Sequence, residues 1–230
     1  MNAETEYCEA LVRDNDKDRF LATLFAPARF RPDLHVLYAF DLETAAVAHR
    51  VRDPVAGEIR LQWWHDALSA NDGVTGHRVA DAMHQVLRRH DIAVSVLLDL
   101  VDARRRALYP GDDAAEAEFE LSASETAGAI VGMAAQVLGG SPGEAVRLAA
   151  HHAGVVVAAG QIDPERASFD AVTMTRRHRD ALRALMASLP DAVLPAFLPL
   201  SLAVEDRTAL PQWRKQWILW RASKNLARWV

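Results

Sequence analysis

Two carboxylates in the stretch LYAFDLETAAVAHRV at 37–51 pose the first chemical question: does this helix carry a magnesium site? Magnesium takes oxygen ligands in near-octahedral geometry, and carboxylates at i and i+4 of one helix supply them side by side. Asp41 and Glu43 are two apart instead, so they point about 200° from each other around a helix and cannot share one ion. They are the weak catalytic candidates of this stretch, and the spacing names no stronger one.

At helical spacing Leu34, Leu37, Tyr38, Asp41, Ala45 and Ala48 share a face, so Asp41 looks inward among apolar neighbours. An unpaired buried carboxylate costs several kcal/mol, and Asp41 therefore needs a cation. Arg50 and Arg60 are of the right type. An ion pair between two helices is favoured over a metal or acid–base role. The next helix, GEIRLQWWHDAL at 57–68, sets Arg60 and Trp64 in an apolar frame and is expected to be largely buried. Tyr38, Asp41, Ala45, Arg60 and Trp64 are the candidates for lining a binding cavity.

The positioning elements read as helix throughout, with almost no period-two alternation. Helices are expected over 6–15, 18–26, the stretch containing 37–51, 56–70, 78–90, 93–109, 114–138, 143–161, 176–188 and 211–228. An AsnAspGly run at 71–73 and a GlyGly pair at 139–140 followed by Pro142 punctuate them, and 190–199 is broken by prolines. The class is all-α, one helical-bundle domain over 1–230. A core of good size fits within 230 residues that are 50% hydrophobic.

Composition narrows the function. A net charge of −5 and a pI near 6.0 give no reason to expect nucleic acid. Cys8 is the single cysteine, which precludes an internal disulfide and a cysteine metal cluster and fits a reducing compartment. The acidic first 20 residues lack a secretory or transit pattern, and the longest apolar run, 149–162, is shorter than the ~20 residues of a spanning helix. A cytoplasmic protein, at most peripheral on the inner membrane, is the expectation. No P-loop, dinucleotide or nucleophile-elbow motif competes.

The remaining ionisable groups have ordinary readings. Among nine histidines there is no HExxH, and the adjacent His151 and His152 are expected on different sides of a helix, so no metal site is assigned. ArgArgArg at 104–106 reads as a solvated face, and GluThrAlaGlyAla at 125–129 as close helix packing. The terminal segment 211–230 holds Trp213, Trp217 and Trp220 with Arg214, Lys215, Arg221, Lys224 and Arg228, and no acid. Its charge is +5, leaving −10 on the rest of the chain. Trp213, Arg214, Lys215, Trp217, Trp220, Arg221 and Lys224 are the candidate surface for an anionic membrane or a protein partner. The competing reading, in which the tryptophans seal the bundle, is slightly favoured.

Several segments resemble the squalene/phytoene synthase family, specifically its bacterial branch related to mitochondrial complex I assembly factor 6. They are YCEALVR at 7–13, RFLATLFAP at 19–27, LYAFDLETA at 37–45, GEIRLQWW at 57–64, LVDARRRALY at 100–109, ETAGAI at 125–130 and PAFLPL at 195–200. The resemblance implies an isoprenoid-synthase helical fold around a deep apolar cavity, shortened here toward the C-terminal half. In active members two aspartate-rich motifs hold magnesium while two prenyl diphosphates condense head to head. The aspartates of the first motif would fall at Ala45, Ala46 and His49, which offer methyl groups and an imidazole in place of oxygen ligands. Near the second, Asp163 and Glu165 flank Pro164, which favours a turn. The implied function is an accessory or assembly role without catalysis, with an isoprenoid or lipid as a candidate ligand and no cofactor. The alternative is a magnesium-dependent prenyltransferase using Asp41 and Glu43.

Overall fold

The computed structural model describes residues 3–50, 53–70, 74–109, 116–139, 143–163, 167–203 and 210–229. The side chains of His49 and Arg50, the turn at 71–73, Gly140, Pro142 and Glu165 lie outside the described residues. Within them the chain is helical, with no strand.

The helices are α1 (Ala3–Asn15), α2 (Lys17–Thr23), α3 (Arg31–Arg50), α4 (Pro54–Ser69), α5 (Arg78–His90), α6 (Val94–Arg106), α7 (Glu116–Ala123), α8 (Ala129–Gly139), α9 (Glu144–Ala159), α10 (Ala171–Met186), the short α11 (Leu194–Phe197) and α12 (Leu200–Ala203), and α13 (Gln212–Ala222). Their starts follow local chemistry. Asp16 caps α2 by accepting from the Arg19 amide at 2.9 Å, and Asp53 and Asp170 cap α4 and α10 in the same way. The Asp170 cap explains why α10 starts at Ala171, five residues before the expected start at 176. The final helix stops at Ala222, and a 3₁₀ turn over Leu226–Arg228 replaces its expected end.

α3 runs through the middle of the bundle, with Val36, Leu37, Ala39 and Phe40 fully buried. It packs against α1, α4, α5 and α8, and α4 in turn lies on α6. Polar ties fix its first turns. Arg31 donates to the carbonyls of Leu24 and Ala26 at the end of α2, at 2.8 and 2.9 Å. Asp33, 2% exposed, binds Arg89 and accepts from the His90 ring, 2.7 Å away, at the end of α5. A carboxylate so far from water persists because both its oxygens are paired.

Between α7 and α8 the helix widens into a π segment over Ser124–Gly128, where a single helix is expected from the sequence. The widening sits where α9 crosses closest. A Cβ on Gly154 would lie 2.4 Å from the Gly128 amide nitrogen and 2.6 Å from its Cα, so no other residue fits there without displacing backbone. The GluThrAlaGlyAla stretch is thus a packing element. A smaller apolar cluster of Ala123, Val155, Ala159 and Met174, flanked by Phe119 and Phe169, joins α7, α9 and α10 beside this crossing.

Candidate functional site

Asp41 sits at the centre of a charge chain that links four segments. Its Oδ2 accepts from Arg19 of α2 at 2.5 Å, and its Oδ1 from Arg104 of α6. Arg104 also donates to the Asp41 backbone carbonyl at 3.0 Å, and Arg19 reaches back to Asp16 at 2.5 Å. The Tyr38 ring lies 4.9 Å from the Arg19 guanidinium. Two carboxylates thus offset two guanidiniums, and the Asp41 and Arg104 side chains keep only 15% and 13% of their exposure.

The expected ion pair between helices is present, and its partners are Arg19 and Arg104; of the two arginines of the right type, Arg60 lines the neighbouring cleft and the Arg50 side chain lies outside the described residues. Burial would raise the Asp41 pKa, but Arg19 and then Arg104 outweigh it and hold the carboxyl below its ordinary value. Burial opposes charge on both guanidiniums. On Arg19 the carboxylates of Asp41 and Asp16 overcome it, while Arg104 stays somewhat lowered, offset in part by Asp41. Burial pushes the neighbouring Tyr38 phenol up to about 12.

Glu43 faces away from Asp41, as its spacing requires. With Val47, Arg60, Trp63, Trp64 and His77 it lines a cleft of about 210 Å³ between α3, α4 and the start of α5. Of the cavity candidates, Arg60 and Trp64 reach this cleft, whereas Tyr38 and Asp41 belong to the charge chain and Ala45 is half-buried outside the lining. Small-molecule sites usually have about 300–1,000 Å³. Trp64 is buried, edge-on to Phe40 at 5.4 Å and to His77 at 5.0 Å, so it serves both core and cleft wall. The burial expected for α4 is corrected on one side, where Val55, Ile59 and Trp63 form an exposed stripe at i, i+4 and i+8.

A magnesium ion bridging a diphosphate does not fit α3. Asp41 has both oxygens engaged by guanidiniums, and Ala45 and Ala46, one turn on, carry no donor atom. Of the three arginines at 104–106, expected on a solvated face, only Arg106 is exposed. Arg104 is half-buried on Asp41, Arg105 binds Glu58 at 3.2 Å and Asp102 at 3.4 Å, and Arg106 binds Glu125 of the π segment.

A model of squalene/phytoene synthases matches residues 12–162, which takes in the charge chain, the cleft and the π segment. The chain belongs to the squalene/phytoene synthase family. Among curated proteins, the rat NADH dehydrogenase (ubiquinone) complex I assembly factor 6 is 28% identical over 147 residues, covering 63% of this chain and 44% of the rat protein. Its human counterpart is 29% identical over 138 residues, covering 58% of this chain and 40% of that protein. The chain therefore spans less than half the length of these curated relatives. Two solved structures of the family share the fold at low identity. A ligand-bound dehydrosqualene synthase superposes with a TM-score of 0.73 at 16% identity, covering 98% of this chain and 97% of that one. The squalene synthase HpnC from Alicyclobacillus acidocaldarius gives 0.62 at 15% identity, covering 96% and 93%. The all-α isoprenoid-synthase architecture expected from the sequence is the one observed, but the shortening expected toward the C-terminal half is not, since the superposition covers 97% of the dehydrosqualene synthase chain.

The helix α13 lies beyond the residues that the family model matches. α13 buries Ile218, Leu219 and Ala222, whereas Trp213, Trp217 and Trp220 are 65%, 47% and 53% exposed. The tryptophans therefore do not seal the bundle. Lys215 leaves the candidate surface, because its ammonium binds Asp18 at 2.8 Å and its side chain is 13% exposed. Arg214 and Arg221 lie over the rings of Trp213 and Trp217 at 5.6 and 4.9 Å, and Lys224 is exposed.

A group that sequence spacing missed lies on α9 and α10. His151 and His152 do not point to different sides of α9 with nothing in common: both rings meet the buried His178 of α10, at 5.6 and 5.0 Å between centroids. Burial, then the neighbouring imidazoles, bring the His152 pKa down to about 4, and burial also lowers His151. The available signal was the inward stripe Ala171, Met174, His178 and Leu182 of α10, which places a histidine where apolar residues belong.

Proposed function

We propose that this chain is a non-catalytic member of its family with an accessory role in assembling a respiratory NADH dehydrogenase. The observation that carries the proposal is the state of α3, where the inward carboxylate is bound between Arg19 and Arg104 and the next turn offers only Ala45 and Ala46. A diphosphate leaving group carries several negative charges and needs metal ions to hold it; this helix face spends its one acid on a structural ion pair. The relatives named complex I assembly factor 6 support the assembly reading over other accessory roles.

The reading includes a place of work. No helix among the described residues is long and apolar enough to cross a membrane. α13 offers a peripheral alternative at the cytoplasmic face of the inner membrane, three exposed tryptophans with Arg214, Arg221 and Lys224 beside them. Indole rings settle at the headgroup level, and cations beside them are drawn to anionic lipid. In the same proposal the Trp-walled cleft is a seat for one end of an isoprenoid or lipid chain.

The assembly role is tested in cells that encode the chain. Deleting its gene lowers the amount of assembled NADH dehydrogenase in membranes, and restoring the chain recovers it. Normal assembly in the deletion strain would overturn the reading.

A further inference from the structure

We propose that His151, His152 and His178 form a binding site for a divalent transition ion of the zinc class. The Nδ1 atoms of His152 and His178 face each other at 3.0 Å, and one ring nitrogen from each of the three lies within 4.8 Å of the others. Two nitrogens bound tetrahedrally to one ion at about 2.0–2.1 Å stand roughly 3.3 Å apart, so this pair is within a few tenths of an ångström of the separation that a shared ion imposes. The third imidazole, His151, sits on the preceding residue with its ring 5.1 Å from that of His152 and completes the trio by a small ring movement.

A fourth residue orients the set. The far edge of His178, Nε2, lies 3.1 Å from Oε1 of Glu120 on α7. A carboxylate there accepts a hydrogen bond from Nε2–H, which holds the proton on Nε2 and leaves Nδ1 as the lone-pair nitrogen aimed at His152. Carboxylate–histidine pairs of this kind fix the tautomer of metal-bound imidazoles and raise their basicity. Arg177 binds Glu120 and Glu116 and approaches His178 at its Nε2 edge, at 3.5 Å, the edge opposite the nitrogen that would hold the ion.

Ligand type selects the ion. Three imidazoles with no coordinating oxygen suit zinc, cobalt, nickel or copper and are a poor set for magnesium. Three protein ligands leave a fourth tetrahedral position for water or an added ligand. The position also makes structural sense, because α7, α9 and α10 meet there over a small apolar cluster that an ion would staple.

Metal-stripped, tag-free protein is titrated with Co²⁺, then with Zn²⁺ and Mg²⁺, following visible absorption, heat and thermal unfolding. The expected result is one Co²⁺ per chain with a tetrahedral ligand-field spectrum, displacement by Zn²⁺, and a raised Tm with Zn²⁺ but not Mg²⁺. His178→Gln abolishes these signals, and Glu120→Gln weakens affinity about tenfold to a hundredfold. Should a variant fail to fold, the unaltered chain still decides, because bound Zn²⁺ must protect the partly exposed His151 and His152 from carbethoxylation by diethyl pyrocarbonate. No saturable binding, binding unchanged by His178→Gln, or modification unaffected by Zn²⁺ would overturn the site. In that case the 3.0 Å contact is a hydrogen bond between neutral rings.

Discussion

Arg104 grips Asp41 twice, one guanidinium nitrogen on the carboxylate and another on the backbone carbonyl of the same residue, which pins α6 to α3 at the helix where the family's metal motif begins. A two-point arginine contact is a fixed structural tie, and with Arg19 on Oδ2 both carboxylate oxygens of Asp41 are engaged. The consequence is a stability role for Asp41 that can be measured.

Asp41→Ala should destabilise the chain by about 3 kcal/mol, because it strands two half-buried guanidiniums, one of which still has Asp16. Urea unfolding followed by circular dichroism measures it. A loss near that of an exposed salt bridge, under about 1 kcal/mol, would contradict the buried tie.

The same group sets an acid limit. The folded Asp41 pKa lies below the ordinary carboxylate value, so its stabilisation is fully present above that ordinary value and is lost as pH falls through the folded one. Stability should therefore drop as pH falls below about 4, and the drop should be shallower in Asp41→Asn. Parallel curves for the two proteins would contradict the assignment.

The helix crossing predicts two opposite outcomes from the same substitution. Gly154→Ala forces a methyl group against Gly128 backbone and should cost about 3 kcal/mol or more, whereas Gly132→Ala meets only the Ala150 methyl at an ordinary 3.7 Å. The second change should be neutral or stabilise α8 by up to about 1 kcal/mol, since alanine is the better helix former. Thermal unfolding of both variants tests the pair.

Exposed α13 should bind anionic vesicles. Trp217→Ala combined with Trp220→Ala should reduce co-sedimentation with phosphatidylglycerol-containing liposomes severalfold, and Lys215→Ala much less, because Lys215 is already engaged by Asp18. Equal binding to neutral and anionic vesicles by all forms would remove the membrane role.

Much of this was readable from residue order, for reasons that differ by element. α5 kept its expected bounds, Arg78–His90, because its apolar residues recur at a helical period. Ala45 and Ala46 announced missing ligands directly, since a methyl group has no lone pair in any fold. Partners were not readable: Arg19 and Arg104 lie 22 and 63 positions from Asp41, and only the bundle brings them together. Arg50 and Arg60 were simply nearer in sequence. The outward tryptophans of α13 were ambiguous because Trp213, Trp217 and Trp220 share a stripe whether it faces core or solvent, and neighbouring Ile218, Leu219 and Ala222 took the core side. The histidine trio needed α9 beside α10, a tertiary contact of which the inward stripe of α10 signals only the His178 member.

The most direct measurement is pyrophosphate release by the purified chain supplied with farnesyl diphosphate and Mg²⁺. With α3 as it stands, release should not exceed the background without protein, and Asp41→Ala should not change it. Release above background that falls in a folded Asp41→Ala variant would contradict a non-catalytic role and make Asp41 a catalytic ligand.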